Sequence, residues 1–184
     1  MENRQAILGT ILSTSGSGKT HFIQTSRFGP ILQDMDMVPA VHDVYKSLYR
    51  AYGDKWWDRP EHEEMKVRLF ADLRPKIEKQ YRKGTLPLIF LTAESELIIG
   101  KPAHVVIPIE RRLLNMEIRA EAKDDHHPIM SKAELIEDTE RLRNLIPNVP
   151  EFDTFEAATT YLLSPGGDEL FIKGAFPLVT GELS

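Results

Sequence analysis

Eight consecutive residues near the start of the chain constrain it most: Ser13-Thr14-Ser15-Gly16-Ser17-Gly18-Lys19-Thr20. They follow an apolar run at 6–12, which reads as a buried strand, and precede a short helical pattern at 21–25. A turn of small residues with two glycines lets backbone N–H groups face inward around an anion. A loop set between a strand and a helix also demands a fold in which the two kinds of element alternate in layers.

The remaining sequence keeps that alternation. Residues 31–37 read as a second strand ending in two carboxylates, and Val41, Val44, Tyr45 and Leu48 recur at helical spacing. A long helical stretch is predicted over 60–83, with Asp58 as its cap, Pro60 near its first turn and Pro75 expected to kink or split it. Met65, Leu69, Leu73, Ile77 and Tyr81 mark its apolar face. Runs at 86–91 and 104–109 read as the third and fourth strands. Helices are predicted over 110–122, from a capping box of Ser131 with Glu134 to about Asn144, and over 155–163 from a second box of Asp153 with Glu156. The expected fold class is α/β, with a central parallel sheet and helices on both faces. The expected organisation is a single domain over 1–184, with a helical insert after the second strand at about 40–84 and a lid-like region at about 111–143. The tail beyond Pro165 is left open between a further strand and surface packing.

Composition narrows the function. At 184 residues with 41 % hydrophobic and 28 % charged, the chain can bury a core without a metal or a disulfide. It has no cysteine, which excludes disulfides, zinc-thiolate sites, iron–sulfur clusters and thiol nucleophiles. A net charge of −5 argues against bulk polyanion binding while leaving room for a local basic groove. The apolar runs are too short to span a bilayer, and MENRQAILGTIL lacks the apolar core of a secretory signal, so a cytoplasmic protein is expected.

The loop has the spacing of a Walker A motif, GxxxxGK followed by Ser or Thr, with Ser13 where the first glycine usually stands. All eight residues, Ser13, Thr14, Ser15, Gly16, Ser17, Gly18, Lys19 and Thr20, are candidate nucleotide contacts. Gly16 and Gly18 allow the backbone to wrap phosphate oxygens, Lys19 neutralises charge on the β- and γ-phosphates, and Thr20 offers a hydroxyl to Mg²⁺. ATP and Mg²⁺ are therefore the expected cofactors. Asp34 and Asp36 close the second strand, at the sheet edge where ligands of such folds bind. A carboxylate there can orient or deprotonate an acceptor hydroxyl, or hold Mg²⁺ through water.

The order STSGSGKT, short helix, strand, DMD, helical insert, apolar strand, then VVIPI with an Arg-bearing helix resembles the small P-loop kinases over about residues 6–163. That superfamily includes shikimate kinases, nucleoside and nucleotide kinases, and the kinase domain of polynucleotide kinases; small viral kinases are similar in layout. The resemblance implies a P-loop NTPase three-layer fold and an acidic residue after the second strand that contacts the acceptor, here Asp34 or Asp36. It also implies an arginine that clamps the transferred phosphate, for which Arg119 is the best match. Arg112, Asn115 and Arg119 share one helical face, and Arg141 and Arg143 lie on the next helix. Two features depart from the pattern: the third strand ends in Thr92-Ala93-Glu94 without an Asp, and Asp124-Asp125-His126-His127 stands where an Arg-rich lid is usual. His126 and His127 lack a third ligand for a metal.

On the acceptor side the insert carries Tyr45, Tyr49, Tyr52, Trp56 and Trp57, and basic residues outnumber acidic ones 8 to 5 between Arg59 and Lys83. Aromatic faces can stack on bases and arginines can hold phosphate. The predicted function is an ATP-dependent phosphotransferase acting on a hydroxyl of a nucleoside, nucleotide or modified nucleic acid. The alternatives are a nucleoside monophosphate kinase and a nucleotide-binding regulatory or assembly ATPase with no acceptor.

Overall fold

The computed structural model describes residues 7–82, 88–123 and 128–164. Among the described residues five strands, β1 (Ile7–Ser13), β2 (Leu32–Asp34), β3 (Leu88–Thr92), β4 (Lys101–Val105) and β5 (Glu151–Phe152), form one sheet in the order β2-β3-β1-β4-β5. Every pairing is parallel. Between them run α1 (Lys19–Thr25), α2 (Pro39–Tyr52), α3 (His62–Tyr81), α4 (Ile109–Glu121) and α5 (Lys132–Leu145), with α6 (Phe155–Leu163) after β5.

The central strands are apolar on both faces, as buried parallel strands must be. Along β3, successive side chains alternate between two cores. Ile89 and Leu91 join Phe155, Ala158 and Leu162 of α6, with Phe22 and Ile23 of α1 packed against them. Leu88 and Phe90 join Val41, Val44 and Leu48 of α2 and Phe70, Leu73 and Ile77 of α3. The result is a three-layer α/β fold with helices on both faces of a parallel sheet. Registers pair Leu12 with Thr92, Asp34 with Leu91 and Ser13 with Val105, so the C-terminal ends of β1 to β4 meet along one edge.

Several local expectations are corrected. The second strand has only three residues, and Met35–Met37 form a 3-10 turn instead. Asp34 ends the strand because its Oδ1 accepts a hydrogen bond from Asp36 N at 3.0 Å, a local bond that competes with the ladder. The fourth strand lies earlier than predicted. Thr10 Oγ1 donates to Ile99 O at 2.7 Å and accepts from Ile99 N at 2.9 Å, which fixes the chain beside β1 just before Lys101.

Helix α3 runs unbroken through Pro75. Pro75 and Ala71 are both exposed, so the carbonyl that loses its amide partner lies where water can serve it. Asp58 does not cap α3; it closes the 3-10 turn Trp56–Asp58, and Glu61 occupies the cap. The buried face of α3 contains His62, Lys66, Phe70, Leu73 and Ile77, whereas Met65, Leu69 and Tyr81 are partly buried. The box of Ser131 with Glu134 opens α5 as predicted, but Thr154, not Asp153, caps α6 by accepting from Ala157 N at 3.1 Å. The first two residues of the run at 86–91, residues 124–127 and the tail from Pro165 onward fall outside the described residues.

Candidate functional site

The loop between β1 and α1 sits at the edge where the strands end. Ser13 belongs to β1 and is completely buried, and its Oγ accepts from Ser17 Oγ at 3.0 Å. Positive φ begins only at Gly16 (76°) and recurs at Gly18 (88°), so the backbone at Ser13 does not need a glycine. The departure from the motif thus has a local reason. A Cβ on Gly16 would also lie 2.4 Å from Met116 Cε, the mobile end of a flexible side chain, so the positive φ is the stronger reason for glycine there.

Helix α4 grips the loop from one side with the three residues of its shared face. Arg112 Nε and Nη2 donate to Ser15 O at 3.3 and 3.2 Å, and Asn115 Nδ2 donates to Gly16 O at 2.6 Å. Arg119 Nη1 donates to Ser15 Oγ at 3.1 Å and to Pro128 O at 3.4 Å. Resemblance to the small P-loop kinases points to Arg119, and nothing in the sequence distinguishes Arg112 from the other arginines of this helix. Arg112 is 1 % exposed, the largest fully buried side chain among the described residues. The i, i+3, i+7 spacing contained the signal for all three, but not for which one is buried.

The carboxylates converge on the other side of the loop. Thr20 Oγ1 donates to Asp34 Oδ2 at 3.2 Å. Burial raises the Asp34 pKa above its ordinary 3.8, and Asp36 adds to this, while the Lys19 ammonium and two hydrogen bonds pull it back. Asp36, half-buried on the turn, accepts from Tyr45 Oη at 3.2 Å through Oδ1.

Tyr45 Oη also lies 3.4 Å from Glu94 Oε1, and Glu94 Oε2 pairs with Lys66 Nζ at 3.2 Å. Lys66 in turn pairs with Glu63 at 3.4 Å. Burial raises the Glu94 pKa, with Lys66 opposing it, and burial together with Glu94 and Asp36 raises that of Tyr45 well above 10.0. Burial alone would lower the Lys66 pKa, but Glu94, Glu63 and Glu96 outweigh it and the pKa is raised. This polar chain links the end of β2 to α3 and explains why Lys66 turns inward. Thr92 caps the end of β3, its Oγ1 accepting from Glu94 N at 3.0 Å.

The aromatic residues of the insert pack on one another. Trp56 stacks on Tyr45 with centroids 5.8 Å apart, and meets Trp57 and His62 edge-on at 5.7 and 5.0 Å. Both tryptophans are half-buried, and Tyr49 is exposed. Of the remaining arginines, Arg143 forms a bidentate pair with Glu151 at 2.7 and 2.6 Å, away from the loop's contacts. Arg141 donates to Asp138 Oδ1 at 2.8 Å, and the charges of Glu63 and Glu94 act on it. His21 and His42 are exposed and His62 and His104 are buried, whereas His126 and His127 lie outside the described residues.

Sheet order, connectivity and loop together define a three-layer α/β protein of the P-loop type. No family model matches the chain, and no curated protein matches it. Among solved structures the chain is similar to one from the PezAT chromosomal toxin–antitoxin system of Streptococcus pneumoniae, at 17 % identity and a TM-score of 0.39, over 95 % of this chain and 86 % of that one. No described helix is long and apolar enough to cross a membrane.

Proposed function

We propose that this protein is an ATP-dependent phosphotransferase that moves the γ-phosphate of ATP to an acceptor hydroxyl. The carrying observation is the carboxylate pair beside the loop, anchored by the 3.2 Å hydrogen bond from Thr20 to Asp34. The loop amides and Lys19 hold the triphosphate and stabilise charge that develops on the transferring group.

Asp34 is held at both oxygens, by Thr20 and by the Asp36 amide, so it is a positioned group. Thr20 and Asp34 together offer hard oxygen donors suited to Mg²⁺, an ion that keeps waters and shares its coordination with substrate phosphates. When bound, it neutralises phosphate charge. Asp36 is held through Oδ1 by Tyr45 and is the group we assign to the acceptor. As the acceptor oxygen bonds to the γ-phosphorus, the bond from phosphorus to the bridging oxygen of ADP breaks, and the hydroxyl proton passes to the Asp36 carboxylate. We assign Arg119, whose Nη1 donates to Ser15 Oγ at 3.1 Å, to the transferred phosphate.

Carboxylates on the acceptor side favour a hydroxyl over an acceptor that is already a phosphate, since like charges repel. Our reading of the acceptor is a nucleoside, nucleotide or nucleic-acid component, supported by the exposed ring of Tyr49 and by Trp57. Trp56 has Tyr45 stacked against it.

ATP labelled on the γ-phosphate, incubated with the protein and a panel of hydroxyl-bearing acceptors, tests the proposal. Label in an acceptor supports it. Label released only as inorganic phosphate, unchanged by any acceptor, overturns it in favour of a hydrolase.

A further inference from the structure

A guanidinium taken out of water must have its donors met, and Arg112 meets them with two different parts of the fold. Nε and Nη2 donate to the Ser15 carbonyl at 3.3 and 3.2 Å. On α5, Nη1 donates to Leu135 O at 3.0 Å and Thr139 Oγ1 at 2.7 Å, and Nη2 lies 3.6 Å from Asp138 Oδ2. Asp138 also holds Arg141 at 2.8 Å.

The direction of the loop amides follows from these contacts. A trans peptide is planar, so its C=O and the N–H of the next residue point in opposite directions. Fixing the Ser15 carbonyl toward α4 therefore turns the Gly16 N–H away from α4. Asn115 does the same for the next unit, fixing the Gly16 carbonyl and so the Ser17 N–H. Both amides belong to the loop that the phosphotransferase reading assigns to the triphosphate. Gly16, with φ of 76°, has no side chain to resist a peptide flip, so the orientation depends on partners outside the loop.

We propose that Arg112 is a positioning residue of the phosphate loop: through the Ser15 carbonyl it sets the direction of the Gly16 amide, and through Leu135, Asp138 and Thr139 it makes that setting depend on α5. The proposal rests on the phosphotransferase reading only in taking the loop as the triphosphate site. It gives the five-donor fork a role that lysine cannot fill, since an ammonium presents no planar fork.

The test uses Arg112→Lys, Thr139→Val and Lys19→Ala in the full chain. Affinity for Mg·ATP is measured by titration calorimetry well below the melting temperature, with the folded fraction checked by circular dichroism. Arg112→Lys is expected to weaken ATP binding by roughly tenfold or more, the worth of charge-assisted hydrogen bonds to a positioned group. Thr139→Val, which removes one acceptor and keeps the shape, is expected to weaken it by about two- to tenfold, the net range of one hydrogen bond.

A merely structural arginine lowers the melting temperature and leaves the ATP affinity of the folded variants at the wild-type value, and that result overturns the proposal. Should Arg112→Lys fail to fold, Thr139→Val decides alone. Lys19→Ala separates the two readings. Lost binding in Lys19→Ala with wild-type binding in the other variants removes only the role of Arg112. Wild-type binding in Lys19→Ala removes the loop as the triphosphate site, and both readings fall.

Discussion

Thr20 Oγ1 donates a hydrogen bond to Asp34 Oδ2 across 3.2 Å, joining the first turn of α1 to the last residue of β2. The two residues are fourteen positions apart in the chain and lie on different elements. They meet because parallel strands bring their C-terminal ends to one edge of the sheet, where open α/β folds place their ligands. The hydrogen bond also gives Asp34 a fixed direction before any ligand arrives, an arrangement that avoids reorganisation during a reaction.

Lys19→Ala is expected to abolish phosphoryl transfer and leave the fold intact. Lys19 is half-buried at the loop and belongs to neither core. Melting curves and turnover measured on the same preparation check this, and wild-type turnover in the variant would remove the loop from the mechanism.

Asp36→Asn keeps size and polarity while removing a proton acceptor. Single-turnover transfer is expected to fall by roughly 10²–10⁴-fold, the range of a positioned general base. Asp34→Asn is expected to show a defect that higher Mg²⁺ concentration partly relieves, because it weakens a hard oxygen donor. Near-normal transfer in both variants would discard the carboxylate mechanism and point to an acceptor that is already ionised.

Replacing Arg119 by Ala is expected to lower kcat more than it weakens ATP binding, because a clamp tightens as charge develops on the transferring group. A loss of roughly 10²-fold in kcat is the scale for one charge-stabilising donor. Steady-state kinetics decide the matter: unchanged kcat with only a raised KM would assign Arg119 to ground-state nucleotide binding.

Asp34 also predicts a link between stability and pH. Its pKa is raised above 3.8 in the folded protein, chiefly by burial, so the folded state holds the proton more tightly than the unfolded chain. Folding is therefore favoured below 3.8, and the Asp34 contribution turns unfavourable as pH rises through the raised native value. Asparagine resembles the protonated form at every pH. The melting temperature of Asp34→Asn relative to wild type is thus expected to be higher at neutral pH than below 3.8. A difference that stays constant across the range would show that the native carboxyl titrates normally.

The parts legible in the sequence were those whose cause is local. The loop from Ser13 to Thr20 is legible by residue type and spacing, β1 by its apolar run and α2 by its apolar helical spacing, because each needs only its own neighbours to be recognised. The capping box of Ser131 with Glu134 was legible for the same reason: both hydrogen bonds close within four residues. Where two local signals competed, the tertiary structure chose between them. The sequence points to Asp153 as the cap of α6, but Thr154 takes that place, its side chain accepting from Ala157 N. Pro75 breaks helices in general but not α3, because the carbonyl it leaves behind faces outward.

The sheet edge that Asp34 shares with the loop is legible from strand order, whereas most side-chain contacts between distant elements are not. Lys66 lies on a helix rich in charge, and nothing in its spacing marks it as buried; Glu94 after β3, at 3.2 Å, meets its ammonium inside the fold. Arg112 and Arg119 share one face of α4, and sequence spacing treats them alike. Arg112 is buried because α5, more than twenty residues further on, supplies Leu135 O and Thr139 Oγ1 to its guanidinium. Period and spacing report the face of an element, whereas burial depends on what the rest of the chain lays against it.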